Sequence, residues 1–293
     1  MSNHLHLAPP IVLVIAGFDP SCGAGIAADM KTIAAHNGYA VAAVTALTVQ
    51  SSKGVQSVHP TPAATLRAQL DALVEDVTPN AVKIGMLAHR GNAAVVAEFL
   101  DRTKLSNVVL DPVIKASSGG EDLLDASGVK FLMEELMKRV DVITPNVDEA
   151  SILSGIEIKD LAGMEAAARR LVERGARAVV VKGGHMDKPH DLLFDGSEIL
   201  TLGGDAVKSQ NTHGTGCTFA SALAAQLAAG RGLREAVLLA KTYVHKAIEH
   251  GFAIGKGPGA LDHFYRTHQE PALRGIHEVP QHGMHPASEP ATR

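Results

Sequence analysis

The strongest constraint on this chain's fold is a repeated alternation. Short apolar runs rich in β-branched residues occupy 11–15, 41–47, 81–84, 108–110, 140–143 and 178–181, and helix-length stretches lie between most of them, at 25–36, 61–76, 92–103, 128–138 and 164–174. Runs that are predominantly apolar, without a strict alternation of apolar and polar residues, suit strands covered on both faces. Strand and helix in alternation therefore predict an α/β fold, a mostly parallel sheet with helices on both sides. The pattern changes after Lys182, where 192–194 and 199–202 flank an Asp195-Gly196 turn and predict a short β-hairpin. The last third then reads as mostly helical. From about His268 onward Pro, His and Glu replace apolar periodicity, which predicts a folded unit over 1–267 and a poorly ordered tail over 268–293.

Charge and cysteine usage exclude several function classes. A formal net charge of -4 provides no broad basic surface for nucleic acid. The two cysteines, Cys22 and Cys217, are far apart and lack metal-ligand spacing, so neither a zinc site nor a disulfide framework is expected and a reducing, cytoplasmic setting fits. The start of the chain has no signal-peptide pattern, and nowhere do about 18 apolar residues run together. A soluble protein with no membrane partner is the expectation.

Late in the chain stands Asn211-Thr212-His213-Gly214-Thr215-Gly216-Cys217-Thr218, followed by a run of small, helix-compatible residues. A Gly-x-Gly turn opening a helix makes an anion site, because unpaired N–H groups and the helix dipole face the incoming charge. Cys217 falls in the first helical turn, where a thiol's pKa is commonly lowered to about 3.5–7.5, so a potential base sits beside a potential phosphate. No Gly-x4-Gly-Lys-Ser/Thr signature is present, so the site is not a P-loop.

Further polar residues fall at strand ends, where ligands of open α/β sheets bind. Gly17 opens a glycine-containing loop through Gly25; Gly23-Ala24-Gly25-Ile26-Ala27-Ala28 resembles a dinucleotide fingerprint, but it lies too far from the strand and no acidic residue follows the second strand. Asp29 either points back toward the strand ends or is a solvent-facing helix charge. Gln50 can offer a donor and an acceptor to a heterocycle, and Met86 is either pocket wall or plain core. Asp111-Pro112 places a carboxylate where it can face Mg2+, or is a turn Asp. Asn146 and Glu149, three apart at a helix start, suit water-mediated Mg2+ beside a nucleotide, or a capping box. Lys182 follows a buried strand and suits nucleotide phosphates.

Several stretches in register resemble the hydroxymethylpyrimidine and phosphomethylpyrimidine kinases of thiamine biosynthesis, in the ribokinase-like superfamily: Ala16 to Ser21 continuing to Asp29-Met30-Lys31-Thr32, Val49-Gln50, Lys83-Ile84-Gly85-Met86-Leu87, Ile143-Thr144-Pro145-Asn146, Lys182-Gly183-Gly184-His185 and Asn211 to Cys217. The resemblance spans about residues 11–266. It implies a three-layer α/β/α fold without a large separate lid, ATP and Mg2+ as cofactors, a small pyrimidine substrate and a homodimer. It further implies that Gly17, Asp29, Gln50, Met86 and Val113 surround the pyrimidine, with His213 touching an added phosphate. Asn146, Lys182, Thr215 and Lys241 fall on the ATP side and Asp111 and Glu149 at the metal. Gly214, Thr215, Gly216 and Cys217 match the catalytic turn, with Cys217 as base. Phe18, Cys22 and Ala27 depart from the family's usual residues. A kinase for pyridoxal or another vitamin and a non-catalytic carrier of a vitamin phosphate are the competing expectations.

Overall fold

In the computed structural model, which describes residues 8–116, 120–184, 190–204 and 207–268, the apolar runs become strands of one sheet. They are β1 (Ile11–Phe18), β2 (Tyr39–Ser51), β3 (Gly54–Pro60), β4 (Ala81–Ile84), β5 (Val108–Leu110), β6 (Val142–Ile143), β7 (Val179–Lys182), β8 (Asp191–Phe194) and β9 (Ile199–Leu202). Their spatial order is β3-β2-β1-β4-β5-β6-β7-β8-β9. The six strands from β2 through β7 in that order run parallel, while β3 pairs antiparallel with β2, β8 with β7 and β9 with β8. The helices are α1 (Gly25–Ala35), α2 (Ala63–Asp76), α3 (Arg90–Thr103), α4 (Ala126–Phe131), α5 (Val147–Ser154), α6 (Leu161–Glu173), α7 (Thr215–Ala228) and α8 (Leu233–Glu249).

Successive side chains of a strand point to opposite faces, so each continuous apolar run feeds two cores. Leu13 and Ile15 of β1 join Val82, Ile84, Val108 and Leu110 beneath α2 to α6. Val12, Val14 and Ala16 join Ala81, Val109, Val142 and Val180 beneath α1, α7 and α8. The result is the expected three-layer arrangement. Helix α7 is apolar nearly all round because it lies between the sheet and α8; Ala220, Ala222 and Ala224 have no exposed surface, and such small side chains let it approach β1, β4 and β5 closely.

The hairpin forms as β8 and β9, and the second strand ends at Ser51 as its sequence indicates. Two elements differ from expectation. Strand β3 has no apolar run, because it is an edge strand with mostly exposed side chains and closes on Pro60, which an edge tolerates. The helix expected over 128–138 is α4 followed by a π-helical turn, Leu132–Leu136, and a 3-10 turn, Met137–Arg139. The wider π turn brings Leu132, Leu136 and Met137 to the core together, where a straight α-helix would turn one of them away. His185 and the tail from 269 onward lie outside the described residues. Among the described residues no helix is long and apolar enough to cross a membrane.

Beyond α8 the chain folds back and plugs into the α1, α7 and α8 layer. His263 is buried there: Thr218 Oγ1 lies 3.1 Å from its Nε2, and Tyr243 donates to its carbonyl at 2.7 Å. Burial, helped by the Lys31 charge, pushes the imidazole down to about 4, below the ordinary 6.5. The unfolded chain therefore binds the extra proton first. The stability this neutral ring supplies is complete above pH 6.5 and is lost as pH falls toward 4, by up to about 3 kcal/mol at about 1.4 kcal/mol per unit. In urea titrations across that window, His263→Gln should lose stability less steeply than the native chain; parallel curves would refute this.

Candidate active site

The chain leaves β1 for β2 on one side and later crosses to β4 on the other, which opens a crevice at the carboxyl ends of the parallel strands. Gly17 lies near the end of β1 and Gln50 near the end of β2, each at a register shift that re-aims the strand. Asp111 follows β5, Thr144 and Asn146 follow β6, and Lys182 ends β7. The first turns of α1 and α7 close the crevice from the other side.

Gly214 caps α7 in the left-handed region, φ 83, and a Cβ there would stand 1.9 Å from the carbonyl oxygen of Gly23. Only glycine fits. The N–H of Thr215 turns back to Thr212 and that of Thr218 to Gly214, which leaves the N–H groups of Gly216 and Cys217 available to an anion. A Cβ on Gly216 would lie 3.1 Å from Lys182 Nζ and 3.5 Å from Asp111 Oδ2, so the anion turn directly abuts a charged pair. Lys182 Nζ donates to Asp111 Oδ1 at 2.9 Å, and Thr144 Oγ1 lies 3.3 Å from the same oxygen.

Asn146 and Glu149 form a full capping box at α5: the Asn146 side chain accepts from the Glu149 N–H and the Glu149 carboxylate from the Asn146 N–H. The capping-box reading is thus observed, and Glu149 also lies close enough to Asp111 to feel its charge. Burial first, with Asp111 adding to it and Lys182 opposing, pushes the Glu149 carboxyl up to about 7. Two crowded carboxylates fit a cation brought in with phosphates, since Mg2+ is commonly held by one or two carboxylates plus substrate oxygens. Among the described residues no group of three His, Cys, Asp or Glu forms a protein-only metal cage. Lys241 reaches the same sheet edge from α8 and pairs with Asp191, the residue opposite Lys182, at 2.8 Å.

On the other side, Met86 and Val113 pack with Ala46 and Leu123 in a small apolar cluster, and a Cβ on Gly17 would touch Met86 Sδ at 2.9 Å. The Gln50 amide lies 3.4 Å from His213 Nε2. Gly17, Met86, Val113, Gln50 and His213 are thus brought to one side of the turn, and Lys182, Asp111, Glu149 and Asn146 to the other.

Asp29 is neither a pocket wall nor a solvent-facing charge. It has no exposed surface, because α1 turns this face inward onto β4 and α7: Lys83 Nζ contacts both carboxylate oxygens at 2.8 and 2.9 Å, and Ser221 Oγ donates at 2.7 Å. It supports the cleft floor from beneath. Lys83, itself fully buried, carries no sequence signal beyond one cation inside an apolar strand. The thiol expectation is also corrected. Burial pushes Cys217 up to about 11, and the Asp29 and Asp111 carboxylates add to this against the pull of Lys83 and of the Gly25 N–H. The helix start is outweighed by desolvation and by negative neighbours.

The phosphomethylpyrimidine kinase family profile matches residues 19–262. The hydroxymethylpyrimidine/phosphomethylpyrimidine kinase of Bacillus subtilis is 43% identical over 255 residues, covering 86% of this chain and 94% of that protein. The structure of Staphylococcus aureus pyridoxal kinase in complex with AMP-PCP and pyridoxal superposes with a TM-score of 0.81 at 32% identity, covering 89% of this chain and 96% of that one. The phosphomethylpyrimidine kinase structure from Clostridium difficile gives 0.73 at 34% identity, covering 82% and 99%.

Removing one member of a buried ion pair strands the other charge, at a cost of about 3–5 kcal/mol. Lys83→Met should therefore lower unfolding free energy by about that amount, and Lys83→Met with Asp29→Leu should recover much of it. Equal stability of the single variant and the native chain in urea would show that the pair does not support the floor.

Proposed function

The chain belongs to the phosphomethylpyrimidine kinase family, and from that premise we propose that it phosphorylates 4-amino-5-hydroxymethyl-2-methylpyrimidine and then its monophosphate, using ATP, in thiamine biosynthesis. The observation that carries the reading is the position of the α7 turn. It lies between the Lys182–Asp111 pair and the pocket of Gly17, Met86, Val113 and Gln50, so donor and acceptor meet at Gly214 to Cys217.

Phosphoryl transfer asks a protein for positioning and for charge stabilisation more than for covalent chemistry. The apolar cluster would hold the pyrimidine ring while Gln50 reads its polar edge. Lys182, with Lys241 and Asn146 beside it, orients the nucleotide phosphates, and the N–H groups of Gly216 and Cys217 stabilise charge on the transferring group. Asp111 and Glu149 would hold Mg2+, which supplies charge neutralisation between the phosphates. His213, next to the turn, lies where the phosphate of the second substrate would be read. Cys217 takes the proton of the accepting hydroxyl. At neutral pH only about one thiol in 10⁴ is ionised, given a pKa of about 11, so the acceptor is a scarce but strongly basic thiolate.

A second reading, turnover of pyridoxal, draws on the similarity to the pyridoxal kinase of Staphylococcus aureus. Assay of ATP consumption with the pyrimidine, its monophosphate and pyridoxal separates them: selective pyridoxal turnover would overturn the pyrimidine reading, and no turnover at all would favour a carrier. The homodimer reading is motivated by Leu47 and Val49, exposed on β2, and sedimentation checks it.

Thiolate supply rises about tenfold per pH unit below the pKa. Single-turnover rates should thus climb about 100-fold between pH 7 and 9 in the native enzyme. In Cys217→Ala they should be flat and about 10²-fold lower at pH 8, with ATP affinity nearly unchanged. A flat native profile would remove the base role.

A further inference from the structure

Asp19 follows β1 directly and is 3% exposed; it lies within the Ala16–Ser21 stretch, where the sequence assigns it no role of its own. Its carboxylate is the hub of the loop between β1 and α1. Oδ1 accepts from the N–H and the hydroxyl of Ser21 at 2.8 and 2.7 Å. Oδ2 accepts from the N–H groups of Gly23 and Ala24 at 3.2 and 2.9 Å, and lies 2.9 Å from His213 Nε2. Burial opposes ionisation, but these donors outweigh it and hold the carboxyl below its ordinary value.

The loop so held is tightly bent, with positive φ at Cys22 (58) and Gly25 (57). It also touches the transfer turn without room for a side chain. A Cβ on Gly23 would stand 2.2 Å from His213 Cδ2, and one on Gly214 would stand 1.9 Å from Gly23 oxygen. The Gly25 N–H, at the end of the loop, faces the Cys217 sulfur. His213 is itself anchored at one ring nitrogen: its Nδ1 is buried with no hydrogen-bond partner, and an ionised carboxylate on Nε2 requires the proton there.

We propose that Asp19 is a positioning residue for phosphoryl transfer: through His213 and the N–H groups of residues 21–24 it clamps the β1–α1 loop onto the first turn of α7. The clamp joins the end of the strand that carries Gly17 to the turn that carries Cys217, so it sets the distance between the accepting hydroxyl and the transferring group. This rests on the kinase reading above. Misplacement of about 1 Å at such a site costs roughly 10²-fold in rate.

The test combines kinetics with a signal that needs no substrate. Asp19→Ala, Asp19→Asn and His213→Gln should each lower kcat by roughly 10- to 100-fold for both transfers, with the KM for ATP changed by less than about threefold. Asp19→Asn combined with His213→Gln should fall no further than the worse single variant, because the two act as one unit. In long-range 1H–15N spectra the His213 imidazole, assigned by its loss in His213→Gln, should be the Nε2–H tautomer in the native protein and a tautomer mixture in Asp19→Ala. Where Asp19→Ala does not fold, Asp19→Asn, which keeps one oxygen for the loop, carries the kinetic comparison. Additive losses, or native kcat in Asp19→Asn, would overturn the proposal, as would an unchanged tautomer in Asp19→Ala. An Asp19-dependent tautomer in a protein that phosphorylates no pyrimidine would overturn the substrate assignment and leave the clamp standing.

Discussion

The buried pair of Lys83 and Asp29 is the constraint on which the site depends. Removing two charges from water costs several kcal/mol per ion, recovered only if the partners meet in good geometry and their remaining valences are filled. Lys83 comes from β4, Asp29 from α1, and Ser221 of α7 fills a further valence. Three elements from distant parts of the chain must therefore hold one relative position or leave a charge stranded. Those elements form the floor and both helical walls of the crevice.

This rigid floor also determines the chemistry above it. Desolvation raises the Cys217 thiol most, and Asp29 and Asp111 beneath it add to this against the pull of Lys83. A helix start alone would favour the thiolate. Here burial reverses that preference, which makes the sulfur a poor nucleophile at neutral pH and a strong base in its rare ionised form. The same compactness explains the glycines: Gly214 and Gly23 meet backbone to backbone, and Gly216 leaves room for Lys182. Each absent side chain lets charged groups and N–H groups approach a common point.

Much of the fold was legible because parallel strands buried on both faces have a distinctive pattern of continuous apolar runs. Strand β3 escaped because an edge strand needs no such run, and the π turn after α4 escaped because periodicity over a few residues does not distinguish one wide turn from an ordinary one. Within the site, Asn146, Glu149, Asp111 and Lys182 could be placed by their position at strand ends. Asp29 was visible as a residue but read as either a substrate contact or a solvent-facing charge, since its partner Lys83 lies 54 positions away. The role of Asp19 was hidden for the same reason: its links to Ser21, Gly23 and Ala24 are local, but His213 stands 194 positions further on.

By itself the sequence determined the α/β class, the strand-end placement of the polar residues, the glycine turn that opens α7 and the family to which the chain belongs. These follow from periodicity, turn chemistry and local motifs, all written within short stretches of chain. Tertiary structure alone decided which charges are buried together, that Asp29 lies beneath the cleft, that Asp19 ties two loops, and that Cys217 is held as a thiol. Desolvation and Coulomb interaction depend on distances through space between residues far apart in the chain, and only folding sets those distances.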